Sequence, residues 1–167
     1  MAEMKSTVYI ETSVISYLAA RMSRDLVVAG HQQITQEWWE IRDDWELYAS
    51  RLVVAEAMRG DPGASSRRLE QLHGIPHLAM TPQVETLVVA LIEAAALPEK
   101  AVEDAFHIAL AAVHGMDFLL TWNCKHIANA IKRGVIERVC EMAGYAMPVI
   151  CTPEELLGDR NVDRSDY

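Results

Sequence analysis

One stretch constrains the fold more than any other: Ala101 to His126, AVEDAFHIALAAVHGMDFLLTWNCKH. Apolar residues recur at helical spacing through Ala105, Ile108, Ala109 and Ala112, and Gly115 supplies a stop. Phe118-Leu119-Leu120-Thr121-Trp122 follows, a run too short for a helix and bounded like a buried strand. Polar Asn123, Lys125 and His126 come next. Helix, glycine and buried strand make a unit of an α/β protein, and such proteins collect polar groups at the carboxyl edge of a parallel sheet. Asp104 near the helix start, with Thr121 and Asn123 at the strand end, is placed to join that edge.

The rest of the chain supplies what else joins it. Thr7-Val8-Tyr9-Ile10 is a β-branched and aromatic first strand, and Glu11 follows. Thr12 or Ser13 is expected to cap a helix through Val14, Ile15, Tyr17 and Leu18. Arg24 to Asp44 reads as one long amphipathic helix, with Leu26, Ile34, Trp38, Trp39 and Ile41 facing the core or a partner. Glu46 to Ala49 is a second strand, and Ser50 caps a helix over Arg51 to Arg59, ended by Gly60-Asp61-Pro62-Gly63. Glu56 is that helix's only carboxylate and lies within reach of the edge that Glu11 occupies.

Ala64 to His73 reads as a further helix and Ile75 to Met80 as a third strand. Thr81-Pro82 opens a helix that runs to Ala96, and the organising helix begins near Glu99. After Trp122 the glycines divide the chain into two helices, Lys125 to Arg133 and Val135 to Ala143. Pro148 to Cys151 is the last strand and Thr152-Pro153-Glu154-Glu155 a helix start, with Asp159 to Tyr167 a mobile polar tail. Alternating strands and helices predict an α/β domain with a mainly parallel sheet, over residues 1–152, followed by a short tail over 153–167.

Composition narrows the function classes. A chain of 167 residues fits one domain. Its apolar runs are too short and too interrupted to span a bilayer, and MAEMKSTVYIE has no hydrophobic h-region or small-residue cleavage site, so export is not expected. Three cysteines argue against a disulfide framework, so a reducing cytoplasm is the expected compartment. A net charge of −9 argues against a general nucleic-acid coat, and does not exclude an enzyme that gathers carboxylates in one cleft to hold a cation.

Glu11, Glu56 and Asp104 can converge on one edge, with Asn123 beside them. Carboxylate oxygens are hard ligands of the kind Mg²⁺ takes, and such a site can activate water against a phosphodiester. VYIETSVISYL, SRLVVAEAMRG, EDAFHIALAAVHGMDFLLTWN and KHI together resemble the PIN-domain family, above all its ribonuclease toxins of the VapC type, over roughly Thr7 to Cys151. The resemblance implies a three-layer α/β/α sandwich and cleavage of an RNA substrate with Mg²⁺ or Mn²⁺. Residue by residue it places catalytic roles on Glu11, Glu56, Asp104, Thr121 and Asn123, with the metal on Glu11, Glu56 and Asp104. It also implies a cognate antitoxin, set over the Trp38-Trp39 helix, and a homodimer. Two positions depart from the family pattern: Glu11 and Asn123 stand where aspartate is usual. The amide at 123 carries no charge, so one well-held cation is expected.

Other readings fit less well. Glu70-x-x-His73 and Asp104-x-x-His107 have the spacing of di-iron bundle ligands, but Pro62, Pro76 and Pro98 interrupt the long helices a bundle requires. Cys124, His126, Cys140 and Cys151 match no standard zinc spacing, and no G-x-S-x-G elbow is present. His107 reads as a satisfied core histidine. The competing class is a PIN-like module that binds protein or RNA without cutting, motivated by the departures at Glu11 and Asn123.

Overall fold

The computed structural model describes residues 4–162, with side chains to residue 158. The chain begins with β1 (Thr7–Ile10), α1 (Thr12–Ala19), α2 (Leu26–Glu40), a tight turn (Arg42–Asp44) and β2 (Glu46–Ser50). It continues through α3 (Arg51–Ala57), α4 (Pro62–Gln71), β3 (His77–Leu78), α5 (Pro82–Glu93) and, after a turn at Glu99–Ala101, α6 (Val102–Val113). Then come β4 (Phe118–Leu120), α7 (Ala130–Met142), β5 (Val149–Cys151) and α8 (Pro153–Val162). All strands pair in parallel in the order β3-β2-β1-β4-β5, so the α/β expectation holds. Val8, Tyr9 and Ile10 of the central strand are fully buried, as a strand covered on both faces must be.

Strand order decides where helices lie. From β1 through β2 to β3 the chain steps one way along the sheet; from β3 through β4 to β5 it steps back the other way. Right-handed crossovers therefore put the two sets of helices on opposite faces. Packing agrees: α1 contacts α2, α3 and α4 in one layer, and α5 contacts α6 and α7 in the other. A three-layer sandwich results. Between β1 and β4 the chain leaves for opposite faces, which opens a crevice at the carboxyl ends of these two strands.

Local chemistry explains most element ends. Asp25 caps α2, Ser50 caps α3, Asp61 caps α4, Thr81 caps α5 and Asn129 caps α7, each accepting a first-turn amide. Gly115 takes a left-handed φ of 65° past the end of α6, and the Met116 amide reaches Ala111 O at 2.9 Å.

Several expected boundaries move. The helix expected over Arg24 to Asp44 spans only Leu26–Glu40, and Leu26 is 88 % exposed, so it is no core contact. Trp38, in contrast, is fully enclosed and packs at 5.6 Å from the Trp45 ring. α5 stops at Glu93 instead of Ala96 because Ala95 turns left-handed, with the Ala96 amide on Leu91 O. Gly134 does not divide the segment after Trp122; α7 runs through it. Buried Ile136 and Cys140 lie on one face of that helix, and their packing outweighs the roughly 1 kcal/mol glycine penalty. The expected tail is also a helix over 153–162. Thr152 and Glu155 form a reciprocal cap, Leu157 is buried and α8 packs on α2. The rest of that tail, 163–167, lies outside the described residues. No helix among the described residues is long and apolar enough to cross a membrane.

Candidate metal centre

Glu11 sits where β1 becomes α1, with its amide on Leu120 O of β4 at 3.0 Å. Its own side chain caps α1, the role expected of Thr12 or Ser13, by accepting the Ser13 N–H at 3.1 Å. The hydroxyls of Ser13 and Thr121 donate to the same Oε2, Thr121 at 2.8 Å. Ser13 Oγ accepts the Trp122 amide and Thr121 Oγ accepts the Asn123 amide, at 2.8 and 2.9 Å. One carboxylate oxygen thus joins the carboxyl ends of β1 and β4. Glu11 is only 5 % exposed there.

Glu56 arrives on α3. Its Oε1 accepts the Thr12 hydroxyl at 2.8 Å and lies 2.6 Å from Nε2 of His107, a fully buried residue of α6. The other ring nitrogen, Nδ1, is 2.8 Å from the Tyr9 hydroxyl, which lies 2.9 Å from Ser50 Oγ. With His107 neutral, Nε2 donating to Glu56 leaves Nδ1 to accept from Tyr9, and one continuous line of hydrogen bonds runs from the α3 cap to Glu56; with the ring charged, both nitrogens donate. Burial disfavours the charged ring, but the Glu56 hydrogen bond and the nearby Glu11, Glu56 and Asp104 charges outweigh it and raise the His107 pKa. Burial also raises the Tyr9 pKa, which keeps its hydroxyl protonated.

Ligand atoms of Glu11, Glu56 and His107 all lie within 4.8 Å of one another, and these three residues can hold a metal ion. Glu11 Oε1 itself stands 4.0 Å from His107 Nε2. Two carboxylates share a largely buried enclosure, where like charges repel unless a cation sits between them.

Asp104, expected as the third ligand, is not part of this group; His107, one turn further along α6, takes its place. The difference arises from α6 itself. His107 points under the sheet edge into the core, whereas the half-buried Asp104 is held outside it by Asn123, whose Nδ2 donates to Oδ1 at 3.0 Å. Asp104 still belongs to the same electrostatic unit. Its pKa is raised, first by burial and then by the Glu11 charge, against the opposing His126, His107 and Asn123. Asn123 Oδ1 accepts the His126 amide at 3.2 Å.

Comparison with protein-family models, curated proteins and solved structures finds no match to the chain. The geometry therefore stands alone. It brings Glu11, Glu56, Thr121 and the Asp104–Asn123 pair to one crevice. It does not assemble the cysteine set: Cys124 is exposed, Cys140 and Cys151 are buried, and none of them enters the ligand group found among the described residues. His107 is the satisfied core histidine that its place in the sequence suggests, and Glu56, which the local pattern does not reveal, is what satisfies it. Tyr9, Thr12 and Ser13 were not expected there either. Only Ser13, a hydroxyl two residues beyond a helix-entry glutamate, carried any local signal of its role.

Proposed function

We propose that the chain is a metal-dependent endoribonuclease that hydrolyses RNA phosphodiesters with Mg²⁺ or Mn²⁺, as the toxin of a toxin–antitoxin pair. The observation that carries this reading is the buried Glu11–Glu56–His107 group at the switch point between β1 and β4, beside Asp104. When bound, a divalent cation supplies charge neutralisation at phosphate and acidification of water. The chain's residues do the rest. Ser13 and Thr121 hold Glu11 by Oε2, and His107 and Thr12 hold Glu56 by Oε1. His107, fully buried, would offer Nε2 as the third ligand, with its ring proton then on Nδ1 toward the Tyr9 hydroxyl. Asn123 fixes Asp104 at the open side of the enclosure.

The exposed apolar start of α2, Leu26 at 88 % and Val27 at 68 %, supports a protein partner on this face, in keeping with an antitoxin, and a homodimer belongs to the same reading. The Trp38 part of the expected docking surface is withdrawn, because that side chain is core.

The test is RNA cleavage by the purified chain with Mn²⁺, with EDTA, and in Asp104→Asn. Cleavage is expected only in the first case, with the fold retained in all three. Cutting that survives both EDTA and the substitution would sink the proposal. A second reading, a module that binds without cutting, draws on Asn123, which presents an amide donor to Asp104 where a working site would gain from a charge. No cleavage together with a melting point raised by Mn²⁺ would select it.

A further inference from the structure

The hydrogen bonds that Glu11 takes from described residues all fall on Oε2: the Ser13 amide, the Ser13 hydroxyl and the Thr121 hydroxyl. Oε1 is left over, in a side chain only 6 % exposed, and stands 4.0 Å from His107 Nε2. The same nitrogen meets Glu56 Oε1 at 2.6 Å. An ion bonded at about 2 Å holds adjacent ligands roughly 3 Å apart, which lies between these two distances. Seating one here exchanges the proton between Nε2 and Glu56 for a bond to the metal.

A nitrogen ligand changes which ion such a place prefers. Mg²⁺ takes oxygen ligands, demands near-ideal octahedral geometry and gives up its waters reluctantly. Imidazole suits Zn²⁺, Fe²⁺ and their first-row neighbours. Here the imidazole is fully buried and Glu11 nearly so, and an ion held by both must shed water to enter.

The far side of the ring is also prepared. A metal-bound histidine donates its other ring N–H to a fixed acceptor, which sets the tautomer and the ring orientation. Nδ1 lies 2.8 Å from the Tyr9 hydroxyl, and that oxygen lies 2.9 Å from Ser50 Oγ. Burial keeps the Tyr9 hydroxyl protonated, so it can accept from Nδ1 while donating onward to Ser50. Ser50 has room for that proton, because a hydroxyl accepts twice and the Val53 amide uses one place, at 3.2 Å.

We propose that this centre takes a first-row transition ion of the Zn²⁺ type on Glu11, Glu56 and His107 Nε2 in preference to Mg²⁺, with Tyr9 as the positioning residue that holds His107 in its ligating tautomer. This names the ion class for the metal-binding part of the reading above and rests on that part, not on RNA as substrate.

The experiment uses the full chain. Binding of Zn²⁺ and of Mg²⁺ is measured by calorimetry, and X-ray absorption at the zinc edge reports whether an imidazole is bound. Zn²⁺ is expected to stay in place against about a hundredfold excess of Mg²⁺, with imidazole scattering in the spectrum. Glu11→Gln should abolish this binding, and His77→Gln, at an exposed position of β3, should leave it alone. Tyr9→Phe is expected to weaken Zn²⁺ binding about 10–100-fold, with the metal-free melting point checking its fold. Displacement of Zn²⁺ by an equal concentration of Mg²⁺, or a spectrum without imidazole, overturns the proposal, and the wild-type chain alone decides both. An unchanged Zn²⁺ affinity in Tyr9→Phe overturns the positioning role. Imidazole-bound Zn²⁺ in a chain that never cuts RNA sustains the centre and defeats the nuclease. RNA cleavage with Mg²⁺, beside a zinc spectrum free of imidazole, defeats this proposal alone.

Discussion

β1 and β4 carry a threonine bonded to a carboxylate at each end of the pair. At the amino end, Asp117 Oδ2 accepts the Thr7 amide at 2.8 Å and its hydroxyl at 3.0 Å, while Thr7 Oγ accepts the Asp117 amide at 3.0 Å. At the carboxyl end, Glu11 Oε2 accepts the Thr121 hydroxyl at 2.8 Å, while Thr121 Oγ accepts the Asn123 amide at 2.9 Å. The chemistry is nearly the same. The surroundings are not: Asp117 is exposed and water shares its charge, whereas Glu11 is buried with Glu56 and His107. A carboxylate–threonine pair is a strand clip in the first setting. Beside a second buried carboxylate it becomes a place where a cation lowers the free energy.

Metal addition should separate the two ends most. At a hundredfold excess over Kd, Mn²⁺ is expected to stabilise the wild-type chain by about 2.7 kcal/mol. Glu11→Gln should lose that gain and Asp117→Asn should keep it, as read from melting shifts. Equal shifts in the two variants would erase the distinction drawn between the ends.

Removing the threonines probes the same contrast without metal. Thr121→Val strips a donor from buried Glu11 and an acceptor from the Asn123 amide, with an expected cost of about 1–3 kcal/mol in urea unfolding. Thr7→Val leaves groups that water can reach and should cost about 0.5 kcal/mol or less. A larger loss at Thr7 than at Thr121 would mean that burial is not what distinguishes the two clips.

The smallest effect belongs to the rim. Arg59, two residues past the end of α3, grips Glu103 on α6 through both carboxylate oxygens, at 2.9 and 2.5 Å, and so ties the end of the helix that carries Glu56 to the helix that carries His107. The Arg59 hydrogen bonds hold the Glu103 pKa below the usual carboxylate range, against the opposing effect of burial. A depressed folded-state pKa gives stability that is present above the ordinary glutamate value and is lost as pH falls through the folded value. The stability difference between wild type and Arg59→Gln should therefore shrink on acidification. A difference that stays constant with pH would remove the pair from the support of the site.

How much of this was legible in the sequence depends on the range of the interaction. β1, the Ser50 and Thr81 caps, the Gly115 stop and the alternation that makes the sheet parallel are written in neighbouring residues, and each appears where the local pattern puts it. So does the arrival of Glu11, Glu56, Thr121 and Asn123 at one edge, since strand ends and helix starts mark that edge in any α/β chain. Tertiary structure decided what local pattern could not carry. Gly134 stays inside a helix because distant core accepts Ile136 and Cys140, and residues 153–162 become a helix docked on α2. His107, not Asp104, completes the ligand group because its neighbours, Tyr9 and Glu56, are 98 and 51 residues away in sequence. Helical spacing gives both α6 residues a place on the helix, but which of them meets Glu56 depends on how α6 and α3 pack against the sheet, and that contact exists only after folding.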